Sequence, residues 1–163
     1  MATSEKNLSD YNKDEIPNGA DFKIGIVVSE WNPDITSNLL KGALQALADN
    51  GVKETNIQVR YVPGTYELPL GAQILFESTF ADGVIAIGSV IQGETKHFDF
   101  VCEAAALGIK DVNLKYNKPV AFCVLTDNTK QQAIDRSGGK HGNKGIECAI
   151  ACLKMIGLKN SLQ

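Results

Sequence analysis

The run Val84 to Val90, VIAIGSV, contains no charge and no alternation of apolar with polar residues, so a strand built from it needs cover on both faces. A parallel sheet with helices above and below meets that demand. Directly after the run come Gln92-Gly93-Glu94-Thr95 and a helical segment that carries His97 in its first turn. In open parallel sheets ligands bind beyond the carboxyl ends of the strands, so this turn is the first place to look for chemistry. Free backbone N–H groups at a helix start, after a Gly that permits close approach, favour an anion such as phosphate. The same positive helix end disfavours imidazolium, which leaves His97 neutral and available as a base. From this segment alone, a surface histidine in a helix cap is an equally good reading.

The rest of the chain alternates in the same way. Phe22 to Ser29 reads as the first strand, with Trp31 following it in a loop before a helix over Asp34 to Asn50, whose apolar face is Leu39, Leu40, Ala43, Leu44 and Leu47. A second strand near Ile57 to Val62 leads into Pro63-Gly64-Thr65-Tyr66-Glu67-Leu68-Pro69, which opens a helix running to about Thr79. After the central strand comes a helix from about Thr95 to Tyr116. A strand over Pro119 to Leu125, a short helix over Asn128 to Ser137, a Gly-rich bend and a last helix over Gly142 to Ile156 complete the pattern. Strand–helix alternation predicts an α/β fold: a three-layer α/β/α sandwich on a central four-stranded parallel sheet, joined by right-handed crossovers. Residues 1–20 are polar and read as a flexible arm, or one that orders against a neighbour, and residues 21–163 as a single domain.

Composition excludes several classes. The net charge of −3 offers no basic field for nucleic acid, and no apolar run is long enough to span a membrane. The opening MATSEKNLSDYNKDEIPNGAD lacks the apolar centre of a signal peptide, so a cytoplasmic location is expected. Cys102, Cys123, Cys148 and Cys152 form no C-x-x-C pair and sit among apolar residues, which points to buried reduced thiols and no metal site.

The notable polar and aromatic residues follow strands: Trp31, Thr65 to Glu67, Gln92 to His97 and Thr126 to Asn128. All these loops open at one edge of the sheet. Trp31 there is suited to stack on a flat heterocycle, or simply to pack. Glu67 reads either as a helix-dipole partner or as a hydroxyl-binding group, and Arg136 as a cation suited to a helix C-terminus. Lys144 and His141 read as surface residues of the Gly-rich bend. The phosphate loop G-x-x-x-x-G-K-[ST], the dinucleotide G-x-G-x-x-G and the nucleophile elbow G-x-S-x-G are all missing.

Four motifs in order, Trp31 after the first strand, PGTYELP (Pro63 to Pro69), GSVIQGETKHFDFV (Gly88 to Val101) and TDNTKQQAIDRSGGKHGNKGIECA (Thr126 to Ala149), resemble the 6,7-dimethyl-8-ribityllumazine synthase family over roughly Phe22 to Leu158. The resemblance implies a flavodoxin-like fold and condensation of 5-amino-6-(D-ribitylamino)uracil with 3,4-dihydroxy-2-butanone 4-phosphate, the penultimate step of riboflavin biosynthesis. It implies that Trp31 stacks on the pyrimidine, that the backbone of Ser89, Val90 and Ile91 meets its polar edge, and that Thr65, Tyr66 and Glu67 hold the ribityl chain. Glu94 and Thr95 would offer N–H groups to the phosphate, Arg136 would pair its charge and His97 would move protons. Glu94 stands where the family often has a small residue, so only its backbone is expected to contribute.

In the family the pocket lies between subunits, so the resemblance brings Phe122, Arg136 and Lys144 from a neighbour. It implies a homo-oligomer, a pentamer and, from the short connection Ser137 to Gly145, a sixty-subunit shell, with riboflavin synthase as a further partner. No metal or organic cofactor is required, because the substrates carry their own nucleophilic amine and leaving group. Two other readings stand beside this one: a non-catalytic flavin or phosphate-ligand binding module, and a shell protein without activity.

Overall fold

The computed structural model describes residues 7–162. Four parallel strands, β1 (Ile24–Ser29), β2 (Ile57–Val62), β3 (Gly83–Ile91) and β4 (Val120–Asp127), form one sheet in the order β2-β1-β3-β4. The register pairs Ile24 with both Ile57 and Gly83, and Ile91 with Asp127. The longest apolar run is therefore an inner strand, as its two-sided hydrophobicity requires.

Alternate residues of the strands feed two cores. Ile26, Val28, Ile85, Ile87, Cys123 and Leu125 face α1 (Pro33–Asp49) and α5 (Lys144–Ser161). Val27, Val84, Ala86, Val120 and Val124 face α2 (Leu68–Ser78) and α3 (His97–Tyr116). The short α4 (Lys130–Arg136) contributes Ala133 to the first core. The molecule is the expected three-layer sandwich. No helix among the described residues is long and apolar enough to cross a membrane.

The layers differ in how much they bury. Over its 20 residues α3 buries only Ala105, Ile109 and Val112. Leu70, Ile74, Phe100, Leu107 and Leu114 of α2 and α3 are exposed. The other layer is locked by close backbone approach. A Cβ on Gly145 would lie 1.9 Å from the Leu39 carbonyl oxygen, and one on Gly42 would lie 2.5 Å from the Asn143 side chain. Asn143 in turn donates to the Asn38 carbonyl at 2.9 Å and accepts from Gly145 N–H at 2.8 Å, which fastens the start of α5 to α1.

Several boundaries differ from those the periodicity predicts. The Pro63 to Pro69 segment makes a 3-10 turn over Thr65–Glu67 before α2 begins at Leu68. The third helix begins at His97, because the Thr95 hydroxyl accepts His97 N–H at 3.4 Å and Thr95 therefore lies before the helix. The Gly-rich bend folds as a small antiparallel hairpin, β5 (Ser137–Gly139) and β6 (Gly142–Asn143), made possible by positive φ at Gly138 and Gly142. The last helix consequently starts at Lys144 and runs on to Ser161.

The expected arm falls partly on residues 1–6, outside the described residues. From residue 7 the segment contacts its own chain: Leu8 N–H donates to the His141 carbonyl at 2.8 Å and Glu15 pairs with Lys154 at 3.2 Å. Ser9 Oγ accepts from Asn143 N–H at 3.0 Å, and Tyr11 packs against the α1–α5 core.

Candidate active site

The carboxyl ends of β1, β2 and β3 carry one group of the expected residues. The chain leaves β1 through Ser29, whose hydroxyl accepts Trp31 N–H at 3.3 Å, and turns at Asn32, which adopts a left-handed backbone with φ 54°. Asn32 Nδ2 donates to the Ser89 carbonyl at 2.9 Å, tying this loop to the end of β3. Trp31 is left 71% exposed. Gly64 accounts for the convergence of the next loop on it: a Cβ there would lie 3.0 Å from Glu67 Oε2 and 3.6 Å from the Trp31 ring.

Thr65 differs from its neighbours. It is buried, and a Cβ on Gly88 of β3 would lie 2.8 Å from its hydroxyl oxygen. Thr65 thus presses on the sheet, while Tyr66 is exposed and Glu67 half-buried above it. Ser89 is buried and its Oγ has no hydrogen-bond partner among the described residues; Val90 and Ile91 are half-buried at the strand end. The turn 92–96 is exposed, Glu94 and Thr95 included, and a Cβ on Gly93 would meet nothing within 4 Å. His97, also exposed, stands as the first residue of α3 beside that open space. The arrangement is a ledge: an aromatic plane, a carboxylate, free N–H groups at a helix start and an imidazole.

The second group sits elsewhere. Phe122 of β4, Arg136 of α4 and Lys144 of α5 line a groove of about 1270 Å³ along the edge strand, together with Asp127, His141 and Glu147. None of Trp31, Thr65 to Glu67 or His97 lines it. Arg136 lies in the last turn of α4, where the helix is begun by a capping box between Thr129 and Gln132. Its Nη1 donates to the Gln132 carbonyl at 3.1 Å and lies 3.6 Å from Asp127 Oδ1. Burial pushes the Asp127 carboxyl above its ordinary range; Arg136 opposes that, and Asp135 adds to it.

Lys144 Nζ contacts both oxygens of Glu147 at 3.0 Å. Burial works to lower the pKa of this ammonium, but the hydrogen bond to Glu147 and the charge of that carboxylate outweigh it and hold the pKa above the ordinary lysine value. Lys144 is therefore a half-buried, paired groove cation and not a loose surface residue of the bend. Glu147 is a groove residue that motif reading does not single out, and Asp127 is one it names only within the strand-end segment Thr126 to Asn128. The i, i+3 spacing of Glu147 from Lys144 is the signal for the first. For Asp127 the signal is its place at the end of β4, whereas its pairing with Arg136 depends on where α4 returns.

Of the four cysteines, Cys148 lines the groove, its thiol donating to the Phe122 carbonyl at 3.4 Å. Cys123, Cys148 and Cys152 are buried free thiols, and Cys102 is half-buried on α3. Among the described residues no group of three or more His, Cys, Asp or Glu side chains is placed to hold a metal ion.

A protein-family model described as 6,7-dimethyl-8-ribityllumazine synthase matches residues 21–160. The chain is 59% identical to the 6,7-dimethyl-8-ribityllumazine synthase of Flavobacterium johnsoniae over 155 residues, 95% of this chain and 82% of that one. It is 54% identical to the enzyme of the same name from Christiangramia forsetii, covering 98% of this chain and 95% of the relative. With the Cytophaga hutchinsonii enzyme of that name it shares 55% identity over 96% of this chain and 98% of the relative.

Proposed function

The chain belongs to the 6,7-dimethyl-8-ribityllumazine synthase family, and we propose that its active site is completed when the strand-end ledge of one subunit meets the edge groove of a neighbour. The enzyme is a transferase of riboflavin biosynthesis. It condenses 5-amino-6-(D-ribitylamino)uracil with 3,4-dihydroxy-2-butanone 4-phosphate, giving 6,7-dimethyl-8-ribityllumazine, phosphate and water in the penultimate step. Family membership disfavours the reading as a non-catalytic binding module.

The observation that carries the two-part site is the separation of its chemistry within one chain. Trp31, Glu67 and His97 stand on the ledge, whereas Phe122, Arg136 and Lys144 line the groove, which none of those three ledge residues lines. In this reading Trp31 stacks on the pyrimidine while the strand-end backbone at Ser89, Val90 and Ile91 meets its polar edge. Glu67 accepts ribityl hydroxyls beside Tyr66, and Thr65, wedged against Gly88, sets their height above the sheet. The N–H groups of Glu94 and Thr95 at the start of α3 and the Arg136 guanidinium of the neighbour hold the phosphate. Phe122 and Lys144 close the groove side.

The chemistry then needs only orientation and proton movement. The 5-amino group of the uracil attacks the ketone carbon of the butanone, water leaves to form the imine, phosphate departs by elimination, and the ribitylamino nitrogen closes the ring on the carbonyl so formed with loss of a second water. His97 lies beside the anion site and acts as the acid and base for these transfers. Holding the two substrates together supplies much of the rate.

Subunit mixing tests the shared site. His97→Ala and Arg136→Ala chains, each impaired when assayed alone at low butanone phosphate, are unfolded together and reassembled at equal amounts. Sites that draw His97 and Arg136 from different chains regain activity in about a quarter of cases, since a closed ring places each site at a boundary. No recovery in assemblies shown to contain both variants would refute the shared site.

The proposed ring is a pentamer, and twelve pentamers form the shell. The apolar residues left exposed on α2 and α3 support an assembly that covers them. Light scattering separates about 90 kDa for five chains from about 1 MDa for sixty, both multiples allowed by closed symmetry. Association with riboflavin synthase is checked by co-sedimentation of the two purified proteins.

A further inference from the structure

Arg136 already has an anion beside it before any phosphate arrives. Asp127, the last residue of β4, places Oδ1 3.6 Å from Arg136 Nη1, and its side chain is only 9% exposed. Oδ2 is buried with no hydrogen-bond partner among the described residues. The Gln132 carbonyl takes the same Nη1, so both tethers fall on one arm of the guanidinium fork. The other arm and Nε make no hydrogen bond among the described residues. Asp127 also touches the ledge side, because its backbone carbonyl accepts Gln92 N–H at 2.9 Å, at the start of the turn that leads to His97.

A carboxylate kept for stability alone would be expected to have both oxygens satisfied, since a buried charge without a full set of partners is costly. A charge-assisted bond to arginine is also normally shorter, roughly 2.7–2.9 Å. The pair is therefore loose, and a phosphate can outbid it with two bonds to the free edge of the fork. Burial raises the pKa of the Asp127 carboxyl, consistent with an anion that is incompletely compensated.

We propose that Asp127 is the positioning residue and built-in counter-ion of Arg136: it holds the guanidinium by one arm, leaves the other edge for phosphate, and competes with phosphate for the charge. The inference rests on the reading of Arg136 as a phosphate ligand. Its consequence is a site that holds the phosphate ester long enough to react and lets product phosphate go.

The test is calorimetric titration of inorganic phosphate into the assembled full-length protein and into four variants. Asp127→Asn keeps the shape and removes the charge; it should bind phosphate about tenfold tighter, the scale of one partly screened charge a few ångströms away. KM for the butanone phosphate should fall, kcat should fall with slower phosphate release, and pyrimidine affinity should stay the same. Asp127→Thr is carried alongside, so that a failure of either to assemble leaves the other to decide. Asp10→Asn removes an exposed carboxylate from the same groove wall and should change phosphate affinity little.

Unchanged or weaker phosphate binding by the Asp127 variants overturns the proposal, and so does an equal tightening by Asp10→Asn, which would make it an effect of total charge. Arg136→Ala separates the two levels of argument. If that variant loses phosphate while the Asp127 variants bind it as wild type does, the counter-ion idea alone fails. If Arg136→Ala binds phosphate normally, the phosphate reading of Arg136 fails and the proposal falls with it.

Discussion

The ledge and the groove solve opposite problems. Ledge residues stand at or just beyond strand ends, and Trp31 in its loop and His97 at the start of α3 are exposed with few side-chain partners. Groove residues are half-buried on an edge strand and two helices and are held by one another: Arg136 by Asp127 and Gln132, Lys144 by Glu147. The ledge owes its geometry to backbone and can present chemistry to anything that docks on it. Groove geometry depends on how α4 and α5 return to the sheet, so it is tuned by packing. The two halves should therefore fail in different ways.

The groove frame should be the more fragile. Gly145→Ala puts a Cβ 1.9 Å from the Leu39 carbonyl oxygen, a backbone atom that cannot rotate away. Loss of α1–α5 docking and failure to recover folded protein is the expected outcome, and a normal cooperative melt near the wild-type temperature would contradict it. Next in size is the ledge base: His97→Ala should lower kcat by about two orders of magnitude with little change in ligand affinity, the usual scale for a general acid–base. Steady-state kinetics decide this, and an unchanged kcat would remove His97 from the mechanism.

A crossed pair of variants then sharpens the comparison. Trp31→Ala should weaken the pyrimidine about tenfold through lost stacking and leave phosphate binding alone. Arg136→Ala should do the reverse, weakening inorganic phosphate and the butanone phosphate about tenfold or more through lost charge-assisted bonds. Calorimetry with each ligand reads both, and equal loss for the two ligands in either variant would break the division of labour.

A smaller effect is expected at the ledge support. Gly88→Ala brings a methyl to 2.8 Å from Thr65 Oγ1 and 3.0 Å from Leu68 Cδ1, side-chain atoms that can shift. A destabilisation of about 1 kcal/mol and a raised KM for the pyrimidine should follow, because Tyr66 and Glu67 move with Thr65. Denaturant midpoints and KM are read together; a stability loss with KM unmoved would show that Thr65 does not set the ledge.

The smallest effect concerns Cys102, Cys123 and Cys152, thiols that line neither half. Burial pushes Cys152 up to about 12 from 9.0, and Cys123 is also raised, by its hydrogen bond to Cys148 and by burial. A thiol pKa raised by folding contributes stability that is fully present below pH 9 and lost between about pH 9 and 12 as the unfolded thiolate forms. At neutral pH, iodoacetamide should label Cys102 first and leave Cys123 and Cys152 unmodified until unfolding; mass spectrometry of the modified peptides checks the order. Early modification of Cys152 would contradict its burial.

What sequence determined here is whatever depends on neighbours along the chain. Two-sided hydrophobicity at Val84 to Val90 required an inner strand, alternation with amphipathic segments required helices on both faces, and strand-end position put Trp31, Glu67 and His97 at one edge of the sheet. Local hydrogen bonding already shifted some details: the Thr95 hydroxyl moved the start of α3, and positive φ at two glycines turned a bend into a hairpin. Tertiary structure alone decided the groove. That Arg136 turns back on Asp127, that Asn143 clasps α1 so that Lys144 and Glu147 face the edge strand, and that Thr65 is buried under the ledge all depend on contacts between separate elements. Periodicity reports which face of an element is buried, because burial repeats with the backbone. It carries no information on which polar side chains meet across elements, because that is settled by close packing and by the desolvation cost of each buried charge, which exist only once the layers have come together.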